Sequence, residues 1–346
     1  MSWSRQLPAE LSVALRWAQR NGMFFALVIL VLFFAWNAPN FATASNLSVV
    51  LMQVAIVGIV AIPGAMLVLC GKVDLSVGGM VVLSAVVFGQ AMEAGLGLPL
   101  AIVAGLGAST LWGVLNAVLI ARLEFSPIIV TLGGLVGARG LAEFISEGMT
   151  SFGFGPEFAF LANGTLMSVP VPVWMFGVVF LIGCHLWYLT PLGRHMFAIG
   201  GAPDTADALG IRAVSIPFWL YVASGFLSGI CGLIAASQLD AASISIGRGL
   251  EIDVLTGILL GGVAFTGGRG SLVGVLFGVL FIGALNNGLV QINISPYVQQ
   301  LAIGAALIFA ATLDIVYQRL DRIQVADQEP ADAPADGDRV ASGRTK

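Results

Sequence analysis

The sequence predicts an all-α membrane protein that crosses the bilayer many times. Hydrophobic residues make up 58% of the chain and charged residues only 10%, and the mean hydropathy is +0.96. A soluble domain is about a quarter charged, so this chain cannot cover a water-facing surface. Many of its 44 glycines lie inside apolar runs. Because small residues let membrane helices approach closely, this pattern indicates a packed helix bundle.

About ten apolar segments approach the length of a membrane helix, which is about 20 residues. In chain order they are 23–36 with its flanks, 47–69, 77–92, 99–120, 127–146, 171–189, 216–236, 253–265, 271–290 and 297–317. The eighth is short and glycine-rich, a composition compatible with a broken or re-entrant helix. We therefore expect one membrane domain over residues 23–318 with about ten transmembrane helices.

The distribution of Lys and Arg predicts that both termini are cytoplasmic, because cytoplasmic loops are enriched in these residues. With the N-terminus inside, the inner loops and the C-terminal side carry Lys72, Arg122, Arg194, Arg212, Arg269, Arg319 and Arg322. The outer loops carry the acids Glu93, Glu147, Glu157, Asp240, Glu251 and Asp253, with Arg248 as their basic residue. A shift of one span would move most of these charges to the wrong side.

Three segments are predicted to lie outside the helix bundle. Residues 1–22 are polar and basic, as expected of an amphipathic N-terminus at the cytoplasmic surface. Residues 319–346 become rich in Ala, Asp, Pro and Gly and cannot bury a core, so we expect a disordered cytoplasmic tail. The outer loop 147–170 is long, aromatic and glycine-rich, and we expect it to contain a short interfacial helix.

The sequence contains little that would support catalysis or metal binding. Its three cysteines fall in apolar runs without a CxxC spacing, and two histidines are too few for a histidine-based metal site. The cluster Gly267-Gly-Arg-Gly-Ser271 lacks the GxxxxGK[ST] spacing of a phosphate-binding loop. We interpret it as a tight cytoplasmic turn between close-packed helices. We expect any ATP that drives this protein to be bound by another subunit.

Asp74 and Ser76 stand in a charged interruption, Cys70–Gly79, between two apolar runs. Both side chains suit the N-cap of a helix beginning at Val77, where an oxygen meets free backbone N–H groups. Broken helix ends at membrane depth also occur where they line a cavity. Asp74 and Ser76 are therefore candidates for a capping role, for contact with a solute, or for both.

The run Phe125–Gly140 is predicted to be a helix that begins near Pro127, a residue suited to a first helical turn. Helical spacing places four residues on one small face: Thr131, Gly134, Ala138 and Leu141. Arg139 and Glu143 are spaced for an i,i+4 ion pair. An ionisable residue inside a membrane helix is a functional candidate. Arg139 therefore either lines a path for a solute or, if it lies near the outer face, sits at the membrane interface.

Two neighbouring amides, Asn286 and Asn287, lie near the end of the ninth apolar segment. Uncharged amides are good partners for hydroxyl groups, and they also hold membrane helices together. The pair is therefore a candidate either for the lining of a path or for a contact between helices.

The longest polar interruption between two membrane-length runs is Thr190–Val214. Pro203, Asp204 and Asp207 predict a helix of roughly two turns that stops at Gly210. A DxxD spacing also occurs where acids hold magnesium and diphosphate, but the sequence lacks the second acidic cluster and the facing basic residues. The segment is either an ordered loop or, as we favour, a docking helix for a cytoplasmic partner.

Four motifs follow one another over roughly residues 25–318. They are Gly71-Lys-Val-Asp-Leu-Ser-Val-Gly78; Pro127-Ile-Ile-Val-Thr-Leu-Gly133 with Ala138-Arg-Gly140; Gly193-Arg with Ala198-Ile-Gly-Gly201 and Ala208-Leu-Gly-Ile-Arg212; and Gly261-Gly with Gly267-Gly-Arg-Gly-Ser271 and Gly274. In this order they resemble the permease subunits of bacterial ATP-binding cassette (ABC) importers for ribose, xylose, arabinose, rhamnose and autoinducer-2. Lys72 stands where members commonly have a second glycine.

The resemblance implies a fold like that of the vitamin B12 class of importer, in the bacterial inner membrane. It implies a second permease copy, identical or homologous, a cytoplasmic ATPase that binds the ATP, and a periplasmic sugar-binding protein, with membrane lipids as further partners and no nucleic acid. It implies that the loop 190–215 contacts the ATPase, through Gly201, Pro203, Asp204, Asp207, Ala208, Leu209, Gly210 and Ile211. The translocation path is expected along Asp74, Ser76, Thr131, Arg139, Asn286 and Asn287, and no cofactor or metal is expected.

Two other function classes compete with this interpretation. A stand-alone secondary transporter or channel for a small polar solute would need coupling groups inside the membrane, where Asp74, Glu143 and Asp314 are the candidates. A membrane enzyme would need a His/Ser/Asp or metal constellation that the sequence lacks. The predicted function is an importer permease for a monosaccharide or similar small polyol, such as a pentose, a rhamnose-type deoxyhexose or an autoinducer-2-like compound.

Overall fold

The structure, a computed structural model, describes residues 9–211 and 213–326. Its α-helices are α1 Ala9–Asn37, α2 Ala44–Leu69, α3 Val77–Glu93, α4 Leu98–Ala117, α5 Pro127–Ser146, α6 Pro156–Asn163, α7 Val171–Cys184, α8 Pro191–Gly201, α9 Pro203–Ala208, α10 Ser215–Leu239, α11 Leu250–Leu260, α12 Leu272–Gln291 and α13 Pro296–Ala326. The π-helical turns Val118–Arg122 and His185–Leu189 extend α4 and α7. Residues 1–8, Arg212 and 327–346 lie outside the described chain, and with them part of the predicted N-terminus and most of the predicted tail.

Six helical segments are long and apolar enough to cross a membrane: Ala44–Leu69, Leu98–Arg122, Pro127–Ser146, Val171–Leu189, Ser215–Leu239 and Leu272–Gln291. Shorter apolar helices occupy Gly22–Asn37, Val77–Glu93 and Pro296–Thr312. Each of the ten predicted apolar segments contains a helix, and the eighth holds the short helix α11. The chain is thus an all-α membrane protein with several spans, while the number ten stays a prediction.

At the centre of the bundle, α10 packs on both α2 and α3. α4 packs on α3 and α10, α5 packs on α3, and α12 packs on α2 and α11. Glycine makes the closest crossings possible: a Cβ on Gly113 of α4 would lie 2.9 Å from Gly225 Cα of α10, and the reverse is equally close. At this crossing the glycines therefore serve helix packing, as predicted.

One end of the bundle carries α6 and four short strands, and we call it the α6 end. β1 Ser151–Phe152 pairs with β4 Ala241–Ala242, and β2 Thr165–Leu166 pairs with β3 Val169–Pro170, both antiparallel. The first pair joins the segment after α5 to the segment after α10. The short helix expected in the loop 147–170 is present as α6.

The opposite end carries α8, α9, the end of α2 and the turn between α11 and α12, and we call it the α9 end. The backbone N–H of Gly268, in that turn, donates to the Leu69 carbonyl at 2.9 Å. Positive φ angles at Gly262, Gly267 and Gly268 let the turn close tightly. The tight turn predicted for this glycine cluster is therefore present.

Two short helices begin inside the bundle rather than at its ends. α3 follows the non-helical residues 70–76 and runs toward the α6 end, whereas α11 follows residues 240–249 and runs toward the α9 end. At 1.5 Å per residue, α3 with 17 residues covers about 25 Å and α11 with 11 residues about 16 Å. Their N-terminal ends touch, because a Cβ on Gly78 would lie 2.7 Å from the Gly247 carbonyl.

Candidate functional site

Asp74 lies in the non-helical segment before α3, and its side chain is buried. Its Oδ1 accepts hydrogen bonds from the backbone N–H of Ser76 at 3.0 Å and from Ser76 Oγ at 2.6 Å. Its Oδ2 accepts a hydrogen bond from Ser224 Oγ of α10 at 2.7 Å. Three donors replace the water that a buried carboxylate has lost. One turn away on α10, the Tyr221 hydroxyl donates to the Val73 carbonyl at 2.9 Å, so the segment is held to α10 at two points.

Ser76 occupies the N-cap position of α3, but its side chain makes no capping hydrogen bond. Its hydroxyl instead donates to Asp74 and accepts from Asn116 Nδ2 of α4 at 2.8 Å. The predicted N-cap hydrogen bond of the Ser76 side chain therefore does not form, whereas Asp74 does accept a backbone N–H at the start of α3. Both side chains also join separate segments of the bundle. We call Asp74, Ser76, Asn116 and Ser224 the buried polar cluster.

The small face of α5 packs next to this cluster. Its buried residues are Thr131, Gly134, Ala138, Ala142 and Ser146. A Cβ on Gly134 would lie 3.2 Å from both Ser76 Cβ and Asn116 Oδ1. Thr131 is fully buried, and its hydroxyl donates to the carbonyl four residues earlier at 2.7 Å. Leu141, which was predicted to share this face, is 38% exposed, because Ala142 occupies the next inward position.

Arg139 makes its contacts with the segment that leads into α11. Its Nη2 donates to the Gly247 carbonyl at 3.0 Å and lies 3.6 Å from Glu251 Oε2. The predicted ion pair with Glu143 does not form within the described chain, where the Glu143 side chain is exposed. Glu251, which the charge distribution assigns to an outer loop, is only 12% exposed. The reason is that residues 240–249 enter the bundle and α11 begins at Leu250, three residues earlier than predicted.

Asn286 and Asn287 lie on α12 toward the α6 end, away from the buried polar cluster. Asn287 exchanges two amide hydrogen bonds with Asn46 of α2, at 2.8 and 3.0 Å. Gln291 Nε2 donates to the same Asn46 oxygen at 2.8 Å. The Asn286 oxygen is buried and finds no hydrogen-bond partner in the described chain. The structure therefore places Asn287 at a contact between α2 and α12, and the role of Asn286 and Asn287 in a path stays a prediction.

Two helices, rather than the one predicted, follow the sixth apolar segment. α8 buries Met196 and Ile199, and α9 buries Ala206. Pro203 begins α9 as predicted, and Gly210 adopts a φ of +72° just after its end. From residue 201 to residue 210 every residue except Ala206 is exposed. The apolar spacing at residues 192, 196 and 199 is the signal that would have predicted α8.

Glycines join α8 to two other segments at the α9 end. A Cβ on Gly267 would lie 2.8 Å from Gly71 N and 3.0 Å from Gly200 Cα, and a Cβ on Gly268 would lie 2.6 Å from Gly201 Cα. A Cβ on Gly200 would meet the Leu69 carbonyl and the Gly268 nitrogen. We call Gly71, Gly200, Gly267 and Gly268 the glycine junction. It links α8 by backbone contacts to the segment before α3 and to the turn after α11.

The polar groups at this site are hydroxyls, an amide and one carboxylate that hydrogen-bond one another. Within residues 9–211 and 213–326, no group of three or more His, Cys, Asp or Glu side chains could hold a metal ion. The groups of the buried polar cluster position helices and can exchange hydrogen bonds with the hydroxyls of a solute.

Comparison with known proteins identifies relatives over most of the chain. The family model described as branched-chain amino acid transport system, permease component, matches residues 46–311. The ribose import permease protein of Bacillus subtilis is 34% identical over 86% of this chain and 92% of its own length. The ribose import permease protein of Escherichia coli K12 is 30% identical, over 86% and 94%. The L-arabinose ABC transporter permease protein of Azospirillum brasilense is 32% identical, over 88% and 89%.

No solved structure matches the chain. The family match nevertheless runs from α2 into α13 and includes the buried polar cluster, Arg139 and the glycine junction. The ribose permeases match 86% of this chain at 92% and 94% of their own length, which confirms the resemblance predicted from the four motifs. This chain therefore belongs to the family of permease components of ABC transport systems.

Proposed function

We propose that the chain is the permease subunit of an ABC importer that carries a monosaccharide or similar small polyol across the bacterial inner membrane. The observation that carries this proposal is the match, over 86–88% of the chain, to proteins named for ribose and arabinose import. Pentoses, rhamnose-type deoxyhexoses and autoinducer-2-like compounds are the substrates that we would test first. The energy comes from a separate ATPase.

The translocation path is proposed to pass the buried polar cluster and Arg139. Arg139 is 24% exposed, and it lies where α3 and α11 begin. The cluster supplies hydroxyl and amide groups around one carboxylate, which suits weak, transient contact with sugar hydroxyls. Thr131 lies one helical turn before Gly134, which packs on the cluster. Asn286 and Asn287 are proposed to border the same path nearer the α6 end.

The segment from Gly201 to Ile211 is proposed to dock on the ATPase. Its exposure and its short helix α9 support this role, as does Leu209, which presents an apolar side chain that is 75% exposed. Closure of the ATPases would move α9, and the glycine junction would pass that movement to the segments flanking α3 and α11. The docking segment would thus act on the part of the chain where the proposed path lies.

The assembly is proposed to contain two permease copies, identical or homologous, with the ATPases at the α9 end and a periplasmic sugar-binding protein at the α6 end. In this arrangement the α9 end and both chain termini face the cytoplasm. The distribution of Lys and Arg supports this orientation. The ten-span count and the likeness to the vitamin B12 class of importer permease are part of the same proposal.

The proposal is tested by deleting the gene and measuring uptake of labelled ribose, xylose, arabinose, rhamnose and fructose by whole cells. We expect uptake of one or a few of these sugars to fall and to return when the gene is supplied on a plasmid. Unchanged uptake of the whole panel would contradict sugar import. If the purified chain alone moved a sugar across vesicles without ATP, a stand-alone transporter or channel would replace the proposal.

A further inference from the structure

Two parts of the chain repeat one pattern in opposite directions. In the first, the long helix α2 is followed by non-helical residues 70–76 and the short helix α3. In the second, the long helix α10 is followed by residues 240–249, largely non-helical, and the short helix α11. The two short helices run to opposite ends of the bundle. Broken helices of this kind place their N-terminal ends inside the membrane, where transporters bind and gate their substrates.

The two N-terminal ends touch through glycine backbones. A Cβ on Gly78 would lie 2.7 Å from the Gly247 carbonyl and would also meet the Glu251 carboxylate. A Cβ on Gly247, which has a φ of +70°, would lie 2.9 Å from the Gly78 carbonyl. The two backbones are therefore in direct contact at Gly78 and Gly247, with no room for a side chain between them.

Electrostatics opposes this contact unless charges offset it. Each helix N-terminus carries about half a positive charge, so two N-termini that meet repel one another. Two acids in the first turn of α11, Glu251 and Asp253, supply negative charge, and Glu251 is the one that pairs with an arginine. Arg139 from α5 pairs with Glu251 and also donates a hydrogen bond to the Gly247 carbonyl. The pair therefore ties a third helix across the point where the two short helices meet.

The pair is only partly satisfied in this arrangement. Arg139 Nε is buried without a hydrogen-bond partner in the described chain, and Glu251 Oε2 makes no hydrogen bond there, only the 3.6 Å ion pair. Both side chains keep some exposure, 24% for Arg139 and 12% for Glu251. Buried polar groups that lack partners destabilise the state that buries them. If the ends of α3 and α11 separated, these atoms could bond to water or to the hydroxyls of a solute. This lowers the free energy needed to separate the two ends.

We propose that Arg139 and Glu251 are positioning residues that hold the α3 and α11 ends together while the path is closed and release them when it opens. This inference rests on the proposed transport function. It adds which two residues hold the closed state and which two helix ends they hold together. The pair acts as a latch because its two charges compensate one another. Removing one charge leaves the other uncompensated inside the bundle, whereas removing both does not.

The test compares Arg139→Gln, Glu251→Gln and the double variant in vesicles that contain only the purified full-length chain. Passive entry of ribitol is followed by vesicle swelling, so neither ATP nor the natural sugar is needed. We expect the unmodified chain to admit no more ribitol than protein-free vesicles do, and each single variant to admit at least about fivefold more than this background. The double variant should lie closer to the background than either single variant. Arg248→Gln and Glu143→Gln, which change exposed charges on the same two parts of the chain, are the matched controls and should leave the leak unchanged.

Equal leaks for the unmodified chain, both single variants and both controls would overturn the latch, as would a double variant whose leak is the product of the two single effects. A purely structural role would lower the yield of folded chain without changing the leak per folded molecule, and this outcome would also overturn it. The leak does not depend on ATP or on a sugar-binding protein. Failure of ATP-driven sugar uptake would therefore contradict the proposed function, but the ribitol leak could still be measured and interpreted.

Discussion

The carboxylate of Asp74 accepts three hydrogen bonds, and the one from Ser224 attaches the segment before α3 to α10. Ser228 lies one turn further along α10, is equally buried, and its hydroxyl finds no hydrogen-bond partner in the described chain. Both serines are fully buried, but within the described residues only the hydroxyl of Ser224 makes a hydrogen bond. This difference provides a matched pair of variants.

Ser224→Ala should lower the free energy of unfolding of the detergent-purified chain by about 1–2 kcal/mol, because Asp74 Oδ2 loses its hydroxyl donor. Ser228→Ala should have little effect, since it removes a hydroxyl that stabilises nothing. Thermal unfolding of both variants in the same detergent measures the difference. Equal losses in the two variants would contradict the role assigned to the Asp74–Ser224 hydrogen bond.

Thr131→Val removes the hydroxyl while keeping the shape of the side chain at a fully buried position. If the path passes Thr131, ATP-driven uptake should fall by about threefold to tenfold, the effect of one lost hydrogen-bonding group. The amount of assembled complex should stay constant, as measured by co-purification. Unchanged uptake at constant assembly would remove Thr131 from the path.

Sequence patterns identified Asp74, Ser76 and Arg139 as functional candidates because polar and ionisable groups are rare in apolar runs. They did not identify the partners of these residues. Ser224 is 150 residues away from Asp74, and Glu251 comes from a segment that hydropathy assigns to an outer loop. Local spacing predicts contacts one turn apart, such as Arg139 with Glu143, but it contains no information about which distant segment enters the bundle.

At the scale of secondary-structure elements, α8 is joined by backbone contacts to the end of α2 and to the turn after α11. Gly200 and Gly201 are neighbours in sequence but have different surroundings. A Cβ on Gly200 would collide with the Leu69 carbonyl and the Gly268 nitrogen, whereas the nearest atom to a Cβ on Gly201 is 3.8 Å away. The glycine junction therefore depends on one of two adjacent glycines.

Gly200→Ala should destabilise the purified chain by about 1–3 kcal/mol, because the new methyl group forces apart the backbones that share the Gly268–Leu69 hydrogen bond. Gly201→Ala should leave stability nearly unchanged. Thermal unfolding of the two variants, side by side, measures the contrast. If Gly200→Ala were as stable as the unmodified chain, the backbones would not be in contact as described.

If the segment Gly201–Ile211 docks on the ATPase, replacing Leu209, the exposed apolar residue that follows α9, should weaken binding of the ATPase. Leu209→Ser should reduce co-purification of the ATPase by about tenfold, the loss expected when an apolar anchor leaves an interface. Val214→Ser changes another exposed apolar residue at the same end, but outside the docking segment, and it should leave co-purification unchanged. If both variants retained the ATPase equally, Leu209 would not be part of the docking site and docking through this segment would be contradicted.

The positions of the long helices could be predicted from apolar length alone, and Pro127 and Pro203 were correct as helix starts. Two features could not be predicted from apolar length, namely the helix α8 and the start of α11. α8 has only 11 residues, so it is too short for an apolar span, and its apolar spacing is the signal that could have revealed it. α11 begins inside the bundle, and a window that searches for a full span cannot detect where a half-length helix starts.

Across the whole molecule, the proposed docking site and the proposed path lie at different depths of one bundle. The glycine junction lies at the α9 end, and the N-terminal ends of α3 and α11 meet about 16 Å inside it, the length of α11. The segments that contact the junction are the same ones that lead into α3 and out of α11. Movement at α9 would therefore reach the closure at Arg139 and Glu251 through two short connections.

Under the proposed function, this chain moves a sugar only as part of an ATP-driven importer. Uptake of labelled sugar by vesicles that contain the chain, its ATPase and its sugar-binding protein measures this. We expect a monosaccharide to accumulate when ATP, the ATPase and the binding protein are all present, and not when any one of them is omitted. Uptake by the chain alone without ATP, or no uptake of any sugar by the complete assembly, would contradict the proposed function.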